Sequence, residues 1–195
     1  MKKLFTIVAL AATSLIFAQN NTDSSNAPKK VTTISGMGMF SDPSQFGLSF
    51  EFEGLMCGHG HSKKSTQLVN LSFGVMQYDS GIRNNINGQG GVIEIGSRQY
   101  YSKGDKPEGL YTSNYLSYGN IRFDQDFLEG KFEGNYSYFS FFSPELGYKM
   151  VFGNFTVDPF IGATWKIEIK GKGDIDNKNV DEWAPRAGIK LGFMF

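Results

Sequence analysis

The C-terminal end of the chain is a stretch in which apolar and polar residues alternate, from Trp183 to Phe195. Successive side chains of a β-strand point to opposite faces, so Ile189 and Leu191 fall on one face and Arg186 and Lys190 on the other. An apolar strand at the end of a chain has an exposed edge that must be paired, and closing a barrel pairs it. We therefore predict an all-β fold, an antiparallel transmembrane β-barrel whose last strand pairs with its first.

Period-two segments recur between turn clusters from residue 31 onward, whereas helical spacing is absent from every long segment. The 195 residues suit eight strands of about ten residues and leave no room for a second domain. The predicted strands are Val31–Phe40, Phe46–Phe52, Val69–Val75, Gly91–Tyr101, Leu110–Phe123, Tyr136–Phe152, Phe155–Glu168 and Trp183–Phe195.

An even number of strands brings both termini to one end of the barrel, which we expect to be the periplasmic end. The connections expected at the outer end are residues 41–45, 78–90, 124–135 and 170–182. Three of these four are long and polar, as outer loops usually are. The long segment 54–65 is the exception, because this topology places it on the periplasmic side.

The N-terminal 18 residues have the pattern of a secretory signal peptide, with Lys2 and Lys3 before an apolar run that ends near Ala18. The run is shorter than the roughly 20 residues that a transmembrane helix needs. Residues 19–30 are polar and low in complexity, which predicts a flexible periplasmic leader. The barrel domain is then 31–195.

Composition excludes several classes of function. The formal net charge is zero and the sequence has no basic stripe, so nucleic acid is not an expected partner. Cys57 is the only cysteine, which excludes an intramolecular disulfide. We predict no cofactor.

Charged residues within the strands are expected to face the lumen, because lipid does not tolerate them. The predicted lumen charge network consists of Glu51, Glu53, Glu94, Arg98, Arg122, Glu145, Lys149, Asp158, Lys166, Glu168, Arg186 and Lys190. An eight-stranded barrel is just wide enough for side chains to fill it. This size favours a salt-bridged, closed interior over the alternative, a narrow pore lined by fixed charges.

The cluster best suited to metal binding is Cys57, His59 and His61, since thiolate and imidazole bind zinc and copper. A solvated glycine-rich turn is the alternative interpretation. The same histidines permit a second hypothesis, a lipid-A-modifying hydrolase with Ser62 or Ser65 as nucleophile. The absence of a Gly-x-Ser-x-Gly elbow argues against that enzyme.

Two consecutive segments carry a resemblance to a known family: Glu94–Tyr101, which ends in Arg-x-Tyr-Tyr, and Lys106–Tyr111. They resemble the small outer-membrane β-barrel (porin-family) proteins of Gram-negative bacteria. The resemblance implies location in the cell outer membrane and carries over no catalytic residue. The partners expected for such a barrel are membrane lipid and, through the C-terminal strand ending at Phe195, the barrel-assembly machinery. We expect a monomer.

The leading interpretation is a non-enzymatic barrel that serves envelope structure, adhesion through its outer loops, or narrow permeation. The alternative is a secreted lipocalin-like binding barrel, in which aromatics would face inward and charges outward. For the membrane barrel we expect an aromatic girdle at the lipid interfaces. Its predicted members are Tyr100, Tyr101, Tyr111, Tyr136, Tyr138, Trp165 and Trp183.

Overall fold

A computed structural model of the protein describes residues 32–53, 65–80, 85–102, 106–127, 130–169, 171–175 and 180–195. Within these ranges, no helix has the length and apolar character to cross a membrane. The strands are β1 Thr32–Phe40, β2 Ser44–Glu53, β3 Ser65–Tyr78, β4 Ile86–Tyr100, β5 Gly109–Phe127, β6 Gly130–Phe142, β7 Pro144–Phe152, β8 Phe155–Glu168, β9 Lys172–Gly173 and β10 Trp183–Met194. The predicted signal peptide and leader lie outside the described residues.

The sheet closes on itself through β10, which pairs antiparallel with β1 on one side and with β8 on the other. The backbone N–H of Phe195 also donates to the carbonyl of Thr32 at 2.9 Å. Since β6 and β7 together occupy the place between β5 and β8, the ring has eight places. The predicted eight-stranded antiparallel barrel is confirmed, and its closure removes the sheet edge that the C-terminal strand would otherwise expose.

The sixth predicted strand, Tyr136–Phe152, is broken at Ser143 into β6 and β7. Asn114 Oδ1 accepts a hydrogen bond from the Ser143 N–H at 2.9 Å, while the register between β6 and β8 shifts between Phe139 and Phe142. An irregularity of this kind adds a residue to one strand and re-aims the side chains that follow. As a result, the consecutive residues Phe141 and Phe142 are both exposed, at 57% and 49%.

The outer face of the barrel is apolar, because the inward and outward positions alternate along every long strand. Its exposed apolar side chains include Ile34, Phe46, Leu48, Phe73, Ile93, Ile95, Leu116, Leu146, Ile161, Ile189, Leu191 and Phe193. Charged side chains fill the inner face of the same strands. The reversed faces of the lipocalin-like alternative are therefore wrong for the described strands.

We call the end of the barrel where Thr32 and Phe195 meet the terminal end and the opposite end the distal end. At the distal end, β5 runs to Phe127 and β6 begins at Gly130, so most of the loop predicted over 124–135 is strand. β4 likewise begins at Ile86, which shortens the loop predicted over 78–90. These strands form hairpins longer than the lipid-facing part of the barrel requires.

The outward side chains of β5 show where the apolar belt ends. Leu116 and Tyr118 are apolar or aromatic, whereas Asn120, Arg122 and Asp124 are polar. At about 3.3 Å per residue, the eight residues from Asn120 to the end of β5 extend roughly 25 Å along the strand. The β5–β6 hairpin therefore projects beyond the membrane on one side of the barrel.

The inward side chains of this extension are mostly apolar and pack together. We call this group the distal apolar cluster: Met76, Tyr78, Ile86, Val92, Ile121, Phe123, Phe132, Tyr136, Tyr138 and Ile175. The segment carrying Ile175 is fixed by a reciprocal pair of bonds. The Glu133 N–H donates to Asp174 Oδ2 at 3.0 Å, and the Asp174 N–H donates to the Glu133 carbonyl at 3.1 Å. The cluster covers the lumen from the distal side.

The lumen as the candidate functional site

The interior of the barrel holds four buried carboxylates, which are Glu51, Glu94, Glu145 and Asp158. It also holds five buried cations, which are Arg98, Lys149, Lys166, Arg186 and Lys190. The fifth cation, Lys166, pairs with the partly exposed Asp42, so the formal charges cancel once Asp42 is included. Each buried group occupies an inward position set by strand alternation. Burying a charge is costly unless it is paired and hydrogen-bonded, so the partners of each group decide what the lumen can do.

The distal ion cluster consists of Arg186, Glu94 and Glu145. Arg186 Nη1 and Nη2 donate to Glu94 Oε1 and Oε2 at 2.8 and 3.1 Å. Arg186 Nη2 and Nε also donate to Glu145 Oε1 at 2.7 and 3.1 Å. Asn70 and Ser117 donate to the two oxygens of Glu94 at 2.9 and 3.0 Å, which completes the coordination of this carboxylate.

The terminal ion cluster consists of Glu51, Asp158, Arg98 and Lys149. Lys149 Nζ lies 2.8 Å from Glu51 Oε2, and Arg98 Nη1 lies 2.8 Å from Asp158 Oδ2 and 3.5 Å from Glu51 Oε2. The other oxygen of Glu51 accepts hydrogen bonds from Thr66 at 2.6 Å and Tyr100 at 2.7 Å. The carboxylate of Glu51 is thus shared by donors from β3, β4 and β7.

The guanidinium of Arg98 is held partly by an aromatic ring. Its Cζ lies 3.6 Å from the centroid of Tyr111, which is a close cation–π contact. The Tyr111 hydroxyl donates in turn to Asp158 Oδ1. Arg98 Nε and Nη2 are buried and have no hydrogen-bond acceptor among the described residues, so the ring face is what these atoms contact.

Lys190 is the buried cation that forms no ion pair with a described carboxylate. Its ammonium donates to the Tyr115 hydroxyl at 3.0 Å and lies over the rings of Tyr115 and Phe160, at 5.2 and 4.9 Å from their centroids. Aromatic faces attract a cation at these distances. Lys190 is therefore compensated by the overall balance of the lumen and by ring faces.

A third charged contact lies nearer the distal end. Lys166 Nζ is buried and lies 2.7 Å from Asp42 Oδ2, which belongs to the turn between β1 and β2. The same ammonium lies 5.8 Å from the ring centroid of Tyr136, a member of the distal apolar cluster. Lys166 and Asp42 thus join the ionic part of the lumen to the apolar cover above it.

Two of the ion pairs cross the full width of the barrel. Arg186 is on β10 and Glu94 on β4, which are four places apart in the ring of eight. Lys149 is on β7 and Glu51 on β2, which are also four places apart. Because these side chains meet from opposite walls, they fill the cross-section of the lumen at two levels.

The structure places the other predicted lumen residues differently. Arg122 was expected inside, and this prediction is wrong: its side chain is 62% exposed and pairs with Asp124 and Glu133, both at 3.2 Å. Glu168 is half-buried near the distal end and belongs to neither ion cluster. The side chain of Glu53 lies outside the described residues.

The error at Arg122 has a physical cause, which is the alternation on β5. The inward positions of this strand are taken by Tyr111, Ser113, Tyr115 and Ser117, whose hydroxyls reach lumen groups, so the even-numbered Arg122 faces outward. The girdle prediction is wrong for four of its seven members, because Tyr100, Tyr111, Tyr136 and Tyr138 occupy inward positions and are buried inside the barrel. Tyr101 and Trp183 are exposed on the outer face, and Trp165 is half-buried beside the ring of Trp183.

A pattern in the sequence indicates which residues of β5 face the lumen. The run from Tyr111 to Ser117 puts two tyrosines and two serines at period two, so four hydroxyls share one face. A face of hydroxyls is better suited to buried carboxylates and ammonium groups than to acyl chains. Asn70 and Thr66 on β3 are further hydrogen-bonding residues of the lumen that the sequence interpretation did not include.

Four residues of the metal and hydrolase hypotheses lie outside the described ranges: Cys57, His59, His61 and Ser62. The other predicted nucleophile, Ser65, is the first residue of β3 and is exposed. Within those ranges, the structure has no group of three or more His, Cys, Asp or Glu side chains arranged to hold a metal ion.

A closed ring of eight antiparallel strands, apolar outside and charged inside, is the architecture of a small outer-membrane β-barrel. The predicted class of protein is therefore confirmed, and its location is the outer membrane. The apolar outer face is the surface that such a membrane covers.

Solved structures of bacterial outer-membrane proteins have a similar fold. A crystal structure of a major outer membrane protein from Thermus thermophilus gives a TM-score of 0.57 at 13% identity, covering 85% of this chain and 99% of that chain. The N-terminal β-barrel domain of Pseudomonas aeruginosa OprF gives a TM-score of 0.49 at 14% identity, covering 86% of this chain and 100% of that chain. Ail, the attachment invasion locus protein of Yersinia pestis, crystallised with the heparin analogue sucrose octasulfate, gives 0.42 at 12% identity, covering 85% and 97%.

At these identities the likeness concerns the fold alone. No protein-family model matches the sequence, and the comparison with curated proteins gave no match.

Proposed function

We propose that this protein is a non-conducting, non-enzymatic barrel of the outer membrane, in which the charged lumen is a rigid polar core. Its distal end lies at the cell surface and its termini lie in the periplasm. The projecting β5–β6 hairpin and its neighbours then form a contact surface for envelope structure or adhesion.

This proposal is supported above all by the two ion pairs that cross the lumen, Arg186 with Glu94 and Lys149 with Glu51. An ion moving along the axis would have to separate both. Removing one partner from a buried ion pair typically costs about 3–5 kcal/mol, so an open state would be rare. The distal apolar cluster adds a second barrier above the charged layers.

The orientation is proposed from the lengths of the hairpins. Barrels of this class have longer connections outside than on the periplasmic side. The distal end carries the projecting β5–β6 hairpin, whereas β7 and β8 meet at the terminal end in the two-residue turn Gly153–Asn154.

Bilayer conductance of the refolded protein tests the closed lumen. We expect wild-type protein to give no steady conductance steps, and we expect Arg98→Ala to lower the heat stability of the barrel. Arg122→Ala removes a similar cation from the outer face and is the matched control. Steady wild-type conductance that Arg98→Ala alters, with heat stability unchanged, would show that the lumen is a charge-lined pore.

Surface labelling tests the orientation. In a Cys57→Ser background, Lys131→Cys places one thiol on the projecting hairpin. We expect a membrane-impermeant maleimide to label it on intact cells. Labelling that requires disruption of the outer membrane would place the distal end in the periplasm.

We further propose membrane lipid and the barrel-assembly machinery as partners, and a monomeric state. The apolar outer face is continuous around the described strands, which suits lipid contact. If the C-terminal strand is recognised during assembly, deleting Phe195 should lower the amount of folded barrel in cells while leaving refolding in detergent intact. Equal yields in cells would contradict this role.

A further inference from the structure

A groove of about 540 Å³ lies on the outer surface of the barrel at the distal limit of the apolar belt. It is lined by Val75, Asn87, Gly88, Gln89, Arg122 and Asp124, from β3, β4 and β5. These residues belong to neither ion cluster of the lumen.

The groove spans two environments. Below it, Phe73 and Ile93 are exposed apolar side chains of the lipid-facing belt, and Val75 forms its apolar edge. Between Ile93 and Gln89 lies Gly91, where an added Cβ would meet no atom within 4 Å. This missing side chain leaves a notch that connects the apolar belt to the polar part of the groove.

The polar part offers hydrogen bonds without net charge. Arg122 and Asp124 form an ion pair at 3.2 Å, so their charges cancel. The Gln89 amide is exposed and makes no hydrogen bond with a described residue, and Asn87 uses only its Nδ2, at 3.4 Å from the Asn85 carbonyl. Side-chain amides supply both donors and acceptors, a chemistry that matches vicinal hydroxyl groups better than a phosphate or a free cation.

We propose that this groove binds the saccharide headgroup of a glycolipid in the leaflet around the barrel. The acyl chains would lie on the apolar belt beside Phe73, and the sugar would contact Asn87 and Gln89. The position at the belt limit favours a lipid-anchored sugar over a soluble one, because a soluble sugar would use only the polar half. The assignment rests on the proposed function, which places the distal end at the cell surface.

Lipid retention by the full mature protein tests the proposal. The barrel is reconstituted in nanodiscs of phosphatidylethanolamine and phosphatidylglycerol, exposed to a rough lipopolysaccharide that carries its core hexoses and purified again, and the retained glycolipid is measured by mass spectrometry. We expect the double substitution Asn87→Ala and Gln89→Ala to lower the amount retained about fivefold, as loss of two hydrogen bonds allows. Gly91→Val, which fills the notch from an unobstructed position, should lower it as well.

Gln67→Ala is the matched control, because Gln67 is an outward amide on β3 near the terminal end, and it should retain wild-type amounts. Equal retention by wild type and both groove variants would overturn the proposal. So would full competition by the oligosaccharide released from the same lipopolysaccharide, since the occupant would then be a soluble glycan. Conductance in planar bilayers and maleimide labelling on intact cells report separately on the lumen and the orientation, so a failure of the groove is distinguishable from a failure of the proposed function.

Discussion

Arg186 on β10 donates to both carboxylate oxygens of Glu94 on β4, at 2.8 and 3.1 Å, across the full width of the lumen. The same guanidinium also binds Glu145 on β7. One side chain of the closing strand therefore ties together three strands of the ring. This contact makes the lumen part of what holds the barrel closed.

The first prediction concerns Arg186. Arg186→Met keeps most of the side-chain volume but leaves Glu94 and Glu145 buried without their guanidinium, so we expect a loss of about 3–5 kcal/mol in the free energy of unfolding. The measurement is urea unfolding in detergent micelles, monitored on gels by the heat-dependent mobility shift of the folded barrel. Arg122→Met, at an exposed ion pair, should change stability by less than about 1 kcal/mol. Equal losses for the two variants would show that the lumen pair is not structural.

The second prediction compares two buried lysines. Lys149 pairs with Glu51 at 2.8 Å, whereas Lys190 binds the Tyr115 hydroxyl and ring faces. Lys149→Met leaves the Glu51 carboxylate without this partner, while Lys190→Met removes a charge that forms no ion pair with a described carboxylate. We expect Lys190→Met to lower the free energy of unfolding by about 1–3 kcal/mol less than Lys149→Met does in the same experiment, because only Lys149→Met leaves a buried acceptor without its donor. The reverse order would contradict the assignment of partners.

The third prediction concerns packing at Gly147. A Cβ at this position would overlap the hydroxyl end of the Tyr111 ring and lie 2.9 Å from the Pro159 carbonyl. Gly147→Ala must therefore push Tyr111 away from Asp158 and Arg98, and we expect a loss of about 1–3 kcal/mol from overpacking. Gly36→Ala is the control, because its added Cβ has only an ordinary contact at 3.9 Å. A Gly147→Ala barrel as stable as the control would mean that Tyr111 has another position available.

The fourth prediction concerns pH and the projecting hairpin. A hydrogen bond from Lys131, together with the positive charges of Lys131 and Arg122, lowers the pKa of Asp124 below its ordinary value of 3.8. The hydrogen bond to Asp124 raises the pKa of Lys131 above its ordinary value of 10.5. Both ionised forms favour the folded hairpin.

The direction of the effect follows from these shifts. Asp124 stabilises the folded hairpin above its ordinary pKa, and this stabilisation is lost as pH falls through the lowered pKa. Lys131 stabilises the folded hairpin below its ordinary pKa, and this stabilisation is lost as pH rises through the raised pKa. We expect hydrogen-exchange protection of the hairpin amides to be constant near neutral pH and to fall in acid. Asp124→Asn should lower protection at neutral pH and weaken its acid dependence. Identical profiles for the variant and wild type would contradict this account.

The sequence predicted the strands and faces well wherever charge and apolar residues alternate without interruption. On β8 and β10, inward Asp158, Lys166, Arg186 and Lys190 alternate with outward apolar residues, as the pattern predicted. This success has a simple cause. Side chains of a strand alternate strictly, and a lipid-facing position does not tolerate a charge.

On β5 the local pattern was ambiguous, because tyrosines suit either an aromatic girdle or a hydroxyl-lined lumen. Only the closed ring decided between them, by bringing the Tyr111 hydroxyl to Asp158 and the Tyr115 hydroxyl to Lys190. The break at Ser143 was also invisible in the sequence, since it depends on Asn114 of the neighbouring strand.

The sequence by itself thus determined that the chain forms an antiparallel barrel with an apolar outside and a terminal strand that must be paired. The tertiary structure decided which charges meet, such as Arg186 with Glu94, and that Arg122 lies outside. Partners across a lumen come from strands that are distant in sequence, and their meeting depends on the register of every strand between them. A local alternation of residues fixes the face of a side chain, but it contains no information about what stands on the opposite wall.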